Sequence, residues 1–225
     1  ALYRRVYFFA PASTEAGDAA SALPRLGSST SPASVEEAIG RADRLYSSKK
    51  YPDAVTAYGD AFAKFPKTAT SENQLRRGIA AYSARKTPEA VSVLTSIPTS
   101  AGEVRAEALS YLAQTYARAR QWEQARATAE EMRRNFSASV FTPRTFVALG
   151  RIADDAKNPT DASYFYHSAV NYTSLGYGDL ILSPSWRLLG PLETANGMLL
   201  FGVSTAMIFA VMLWLIQARF ADLKG

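Results

Sequence analysis

The sequence predicts an all-α chain in which an array of paired helices precedes one membrane-spanning helix. Three observations lead there. Between residues 35 and 158 the apolar side chains recur at helical spacing. One arrangement of small and large residues returns along that stretch. Finally, Met198 to Ile216 runs 19 residues without a charge, with only Ser204 and Thr205 polar. The charge is distributed to match: of 25 Lys+Arg and 20 Asp+Glu, residues 159–225 hold three and four. The last part of the chain is composed for a different solvent.

Composition excludes several functions. With no cysteine, a disulfide scaffold, a Cys-ligated zinc site, an iron–sulfur cluster and a cysteine nucleophile are ruled out. The single histidine, His167, has no nucleophile or acid placed beside it and reads as a helix-packing residue, so the chain is not expected to be an enzyme. The net charge of +5 is interleaved with acids, as at Arg41, Asp43, Arg44 and at Glu123, Arg126, Glu130, Arg133, which reads as solvated helix faces and not as a nucleic-acid surface.

In chain order, residues 1–34 are expected to be a flexible linker. The first residue is Ala1 and not Met, so a processed chain or a fragment is expected. Of residues 11–34, 17 of 24 are Ala, Ser, Pro or Gly. Residues 35–158 follow as helix pairs. In the first unit Ala42, Leu45 and Tyr46 precede a turn at 49–52, then Ala54, Tyr58 and Ala61 lead to a terminating Pro66. A second unit supplies Gly78, Tyr82, Ala90, Leu94 and Ile97. The third places Leu109, Leu112, Ala113 and Tyr116 opposite Ala125, Ala129 and Met132. The small residues Ala54, Ala90 and Ala125 recur at spacings of 36 and 35, and a close helix crossing needs a small side chain there.

These residues resemble the tetratricopeptide repeat, whose period is about 34. The early Trp of that family is absent, and only the second unit has Gly at the small position of its first helix. Leu149, Gly150, Ala162, Tyr166 and Ala169 offer a fourth unit that overlaps the segment described next. The resemblance implies a stack of helix pairs with a groove for a protein partner, toward which Arg76, Arg77, Gln114 and Arg118 are candidates.

Residues 161–179 read DASYFYHSAVNYTSLGYGD. The last seven resemble the potassium-channel selectivity filter, usually T-T-V-G-Y-G-D. K⁺ exchanges its hydration shell for a ladder of backbone carbonyls, and Gly176 and Gly178 can take the positive φ that such a ladder requires. The resemblance implies ion sites at Ser174, Leu175, Gly176, Tyr177 and Gly178, with Thr173 supporting the filter, Asp179 at the outer mouth and K⁺ as permeant ion in place of a cofactor. Ser174 and Leu175 replace the commoner Thr and Val, and Val170 offers Asp179 no carboxylate partner. The supporting pore helix is expected from an Asp161 N-cap through Thr173, making 173–179 a re-entrant segment.

After a loop with Trp186, the 198–216 stretch spans roughly 28 Å at about 1.5 Å per residue. The order of helix, filter, loop and span resembles the second half of a two-transmembrane bacterial potassium channel over residues 160–218, with Gly197 and Gly202 where that family bends its inner helix. Its outer helix is absent, since no stretch of spanning length precedes Met198. Three explanations stand: another subunit supplies that helix, the chain is a fragment or fusion, or a pore-like tail anchors the repeats. The expected partners are therefore a protein in the repeat groove, membrane lipid, and either three further copies in a homotetramer or a subunit with the outer helix. A bacterial inner membrane with extracytoplasmic repeats is the expected location, and Arg219 and Lys224 beyond the span agree with a cytoplasmic C-terminus. The alternative is a membrane-anchored repeat scaffold that conducts no ions.

Overall fold

The structure, a computed structural model, describes residues 2–172 and 189–222. Among them there are helices and no strands, as the periodicity predicts. The chain forms two compact units, Ala1–Phe141 and Thr142–Gly225.

In the first unit α1 (Leu2–Phe9) and α2 (Ala16–Arg25) are followed by three pairs. These are α3 (Val35–Ser47) with α4 (Tyr51–Lys64), α5 (Ser71–Ser83) with α6 (Thr87–Thr95), and α7 (Glu103–Arg118) with α8 (Trp122–Asn135). Each pair packs on itself, and α4 meets α5 as α6 meets α7. Ser34 and Thr70 cap α3 and α5, their hydroxyls accepting from the backbone N–H of Glu37 and Asn73. Pro66 stops α4 and opens a short 3₁₀ turn, Pro66–Thr68.

The turns within the pairs share one construction. Lys49, Arg85 and Arg120 hold φ of 59°, 58° and 60°. In each turn that residue's N–H and the next one's bond back to the ending helix, as Lys49 does to Tyr46 O at 2.9 Å and Lys50 to Leu45 O at 2.9 Å. This is the Schellman arrangement, which satisfies the last carbonyls of a helix and reverses the chain. Five residues after each turn lies Ala54, Ala90 or Ala125, and all three are fully buried. Gly78 is a second close approach: a Cβ there would lie 2.4 Å from Leu94 Cδ2. Replacing Ala125 by Leu should therefore overpack the α7–α8 seam and cost about 1–3 kcal/mol. A thermal melt of the full chain followed by circular dichroism checks this, and an unchanged midpoint would mean the helices do not cross at Ala125.

The structure corrects the expected flexible linker at 1–34. Its helices are held by groups distant in sequence. Phe8, Ala19 and Leu23 are buried. Arg4 pairs with Glu37 at 2.5 Å and donates to Ser29 O and Ser31 O at 2.8 and 3.1 Å. Arg41 stacks 3.8 Å from the Tyr7 ring centroid and donates to the Tyr7 carbonyl. Small residues that suit a linker equally suit short helices once such anchors exist.

Arg4, by hydrogen bonding, holds the Glu37 carboxyl below its usual range. A pKa lower in the folded than in the unfolded chain adds stability above the ordinary carboxylate pKa, and that stability is lost as pH falls through the depressed value. The wild type should therefore melt above Glu37→Gln at neutral pH, and the two should converge in acid. Melts across pH check this; a gap that persists in acid would show that the ion pair is not what fastens α1.

In the second unit α9 (Phe141–Asp155), α10 (Pro159–Tyr172) and α11 (Leu189–Asp222) follow, with α10 packed against α11. Lys157, at φ 56°, repeats the turn construction a fourth time, with Lys157 N–H on Asp154 O at 2.8 Å and Asn158 N–H on Ala153 O at 2.9 Å.

Candidate ion-conducting segment

The residues that resemble a selectivity filter, 173–179, follow α10 and precede α11 in the chain. Asn158 and Asp161 bond reciprocally at the start of α10: the Asn158 amide donates to Asp161 Oδ2 at 2.7 Å, and the Asp161 N–H donates to Asn158 Oδ1 at 3.3 Å. Asp161 is therefore not the N-cap that the sequence predicts. Asn158 holds that place, Pro159 takes the first helical position, and the Asp161 carboxylate, three residues on, accepts from the Asn158 side-chain amide.

Phe165 is fully buried, 6.2 Å from Phe146 of α9 between ring centroids. Gly150 of α9 faces α10 at this point: a Cβ there would make ordinary contacts, 3.6 Å from Phe165 Cβ and 3.7 Å from the Tyr166 nitrogen. His167 lies 2.7 Å from the Asn171 amide, one turn further along α10. Among the described residues no cluster of His, Asp and Glu could hold a metal ion.

Helix α10 ends at Tyr172, directly before Thr173 in the chain, and its C-terminal end carries partial negative charge. Thr173, Ser174, Leu175, Gly176, Tyr177, Gly178 and Asp179 lie outside the described residues. Gly197 and Gly202 lie inside one continuous helix, α11, where Gly197 is buried and a Cβ on Gly202 would meet nothing within 4 Å.

One candidate membrane span occurs among the described residues, Thr194–Gln217 of α11, at mean hydropathy 2.4 and with none of its most apolar window buried. Its 24 residues reach about 36 Å, enough for a hydrocarbon core of about 30 Å. Phe201, Met207, Phe209, Leu213 and Trp214 are exposed along it. So large an uncovered apolar surface is stable against lipid and not against water. Thr205 returns its hydroxyl to Phe201 O at 2.8 Å, which satisfies it within the helix.

Helix α9, by contrast, holds 15 residues that include Arg144, Arg151, Asp154 and Asp155. It is too short and too charged to cross a bilayer.

The groove candidates of the first unit separate. Arg76 pairs with Asp43 at 3.0 Å, and Asp43 also accepts from the buried Tyr58 hydroxyl. Arg77 pairs with Glu89 of α6 at 3.2 Å. Gln114 and Arg118 come together at Tyr82, whose hydroxyl donates to Gln114 Oε1 at 2.9 Å while the Arg118 guanidinium lies 4.0 Å from its ring centroid. Sequence reasoning did not find Arg105. It is buried and donates to the carbonyls of Leu94, Thr95 and Ile97. An arginine on an otherwise apolar helix face is its only sequence signal.

Residues 139–213 match a family model described as "Ion channel". No curated protein and no solved structure matches the chain. The matched stretch begins about 20 residues before the channel resemblance read from the motif, so it takes in α9 as well as α10, the filter sequence and most of α11. Residues 139–213 are an ion-channel-like segment that includes most of a candidate membrane span, which supports a membrane location, and the family they resemble is not one of enzymes.

Proposed function

We propose that residues 139–213 contribute the pore of a potassium-selective channel and that the paired helices before them form a tetratricopeptide-like domain binding a protein partner. The observation that carries the pore reading is T-S-L-G-Y-G-D placed between α10 and a lipid-exposed span, inside the channel-like match. Four chains surround one axis, because each supplies one carbonyl per level of the filter. With α9 unable to span, the outer helix comes from another subunit or from sequence joined to this chain. Since α11 crosses once and the filter segment is re-entrant, the repeats lie on the side of Asp179, outside the cytoplasm of a bacterial inner membrane. The four matching turns at Lys49, Arg85, Arg120 and Lys157 support the repeat reading.

A second reading is favoured by the construction of α9 and α10. Their turn and their Gly150 crossing make a helical hairpin like those of the first unit, as in a repeat scaffold that α11 merely anchors. Potassium flux into liposomes carrying the purified chain separates the two, measured alone and with its natural upstream sequence. Flux from either form supports the pore, and flux only from the longer form assigns the outer helix to the upstream sequence. No flux from either, with a monomer in detergent, leaves the scaffold.

A further inference from the structure

Gly40, Asp43, Arg44 and Ser47 follow one another along α3 at intervals of three, one and three residues, so they share one face of the helix. Together with Ser48 they line a cavity of about 380 Å³ that opens to solvent. Arg44 is held there from two sides. Its guanidinium carbon lies 5.0 Å from the Phe9 ring centroid, and its Nη1 rests against Gly40, where a Cβ would come within 2.5 Å. The side chain is half-buried, yet among the described residues it has neither a hydrogen bond nor an ion pair. A guanidinium fixed in place with its donors unused takes up an anion with little further loss of freedom.

The same cavity offers an acceptor. Arg76 and the Tyr58 hydroxyl both donate to Asp43 Oδ1, the first at 3.0 Å. Among the described residues no donor reaches Oδ2, and the Asp43 side chain is 37% exposed. The hydroxyls of Ser47 and Ser48 are exposed and also without a protein partner among those residues. A plain carboxylate or phosphate would satisfy Arg44 but has no donor for Asp43 and is repelled by it. A plain ammonium has the reverse fault.

We propose that this cavity binds a free α-amino acid, with its carboxylate on Arg44 and the serine hydroxyls and its ammonium on Asp43 Oδ2. Such a ligand carries both charges on one carbon, as the lining requires. A polypeptide fits less well, because its internal residues carry neither charge on the backbone and each of its ends carries only one. The volume lies near the lower end of the range for small-molecule sites, about 300–1,000 Å³. The inference goes beyond the pore and partner readings and depends on neither.

The test is equilibrium dialysis of the full chain in detergent against radiolabelled L-alanine at neutral pH, since any α-amino acid carries the head group concerned. Unlabelled L-alanine should compete at least tenfold better than N-acetyl-L-alanine, which lacks the ammonium, or L-alaninamide, which lacks the carboxylate. Arg44→Gln should abolish binding. Gly40→Ala, whose Cβ displaces the guanidinium, should weaken it severalfold. Asp43→Asn, which keeps an oxygen for Tyr58, should erase the preference for L-alanine over its N-acetyl form. Arg134→Gln, on α8, should change nothing. Circular dichroism of each variant guards against misfolding. Equal competition by N-acetyl-L-alanine would reduce the cavity to a carboxylate site, and binding that survives Arg44→Gln would place it elsewhere. Either result overturns the proposal, as does the absence of saturable binding at millimolar L-alanine.

Discussion

Replacing Gly176 by Ala is expected to abolish potassium flux while leaving insertion into the membrane unchanged. A Cβ disfavours the positive φ that turns a carbonyl toward the pore axis by about 1–2 kcal/mol, and a filter of four chains incurs that penalty four times around one ion. A K⁺ ion that meets misdirected carbonyls regains too little of its hydration energy to enter. Insertion rests on Thr194–Gln217, whose apolar surface the substitution does not touch. Flux through liposomes and resistance to carbonate extraction, measured on the same preparations, read the two effects separately. Flux retained at the wild-type rate would remove residues 174–178 from any conducting role. Loss of flux together with loss of insertion would show instead that the substitution damaged the whole segment.

The largest stability effect is expected from Arg105→Ala. The Arg105 guanidinium reaches from α7 to the carbonyls of Leu94, Thr95 and Ile97, at and just beyond the end of α6, at 3.1, 3.3 and 2.9 Å. It also pairs with Glu131 of α8 at 3.2 Å. One side chain thus joins two helix pairs and satisfies carbonyls that the end of a helix leaves open. Removing it leaves those acceptors without their partner and Glu131 without its cation. The expected cost is about 2–4 kcal/mol, below the range for fully buried pairs because Glu131 is partly exposed. Arg105→Lys should recover part of this, since an ammonium keeps the charge but not the fork of donors. Arg134→Ala, at an exposed site on α8, should fall within about 0.5 kcal/mol of wild type. Thermal or urea unfolding of the three variants decides the matter, and equal midpoints for Arg105→Ala and Arg134→Ala would show that the joint contributes nothing.

The sequence by itself determined what depends on neighbours a few residues apart. Helical periodicity marks the paired helices because residues three and four apart share a face. The recurrence of Ala54, Ala90 and Ala125 marks the crossings, because only a small side chain admits a second helix there. The span Met198–Ile216 follows from composition alone, since nineteen uncharged residues have one stable solvent. The repeated turn was legible too, though unread: a basic residue stands five places before Ala54, Ala90, Ala125 and Ala162.

Only the tertiary structure decided the rest, because the groups concerned meet from far apart in the chain. The helices at 2–25 are fixed by Arg4 on Glu37 and Arg41 on Tyr7, 33 and 34 residues away, and no local pattern separates them from a linker. Arg105 reads as a surface charge until the carbonyls of α6 surround it. In the second unit, Asn158 displaced Asp161 as the cap of α10 because Pro159, with no N–H to give, already suits the first helical position. Local sequence fixes which residues form helices, whereas the placing of buried charge and of the side chains available to a ligand is settled when those helices pack.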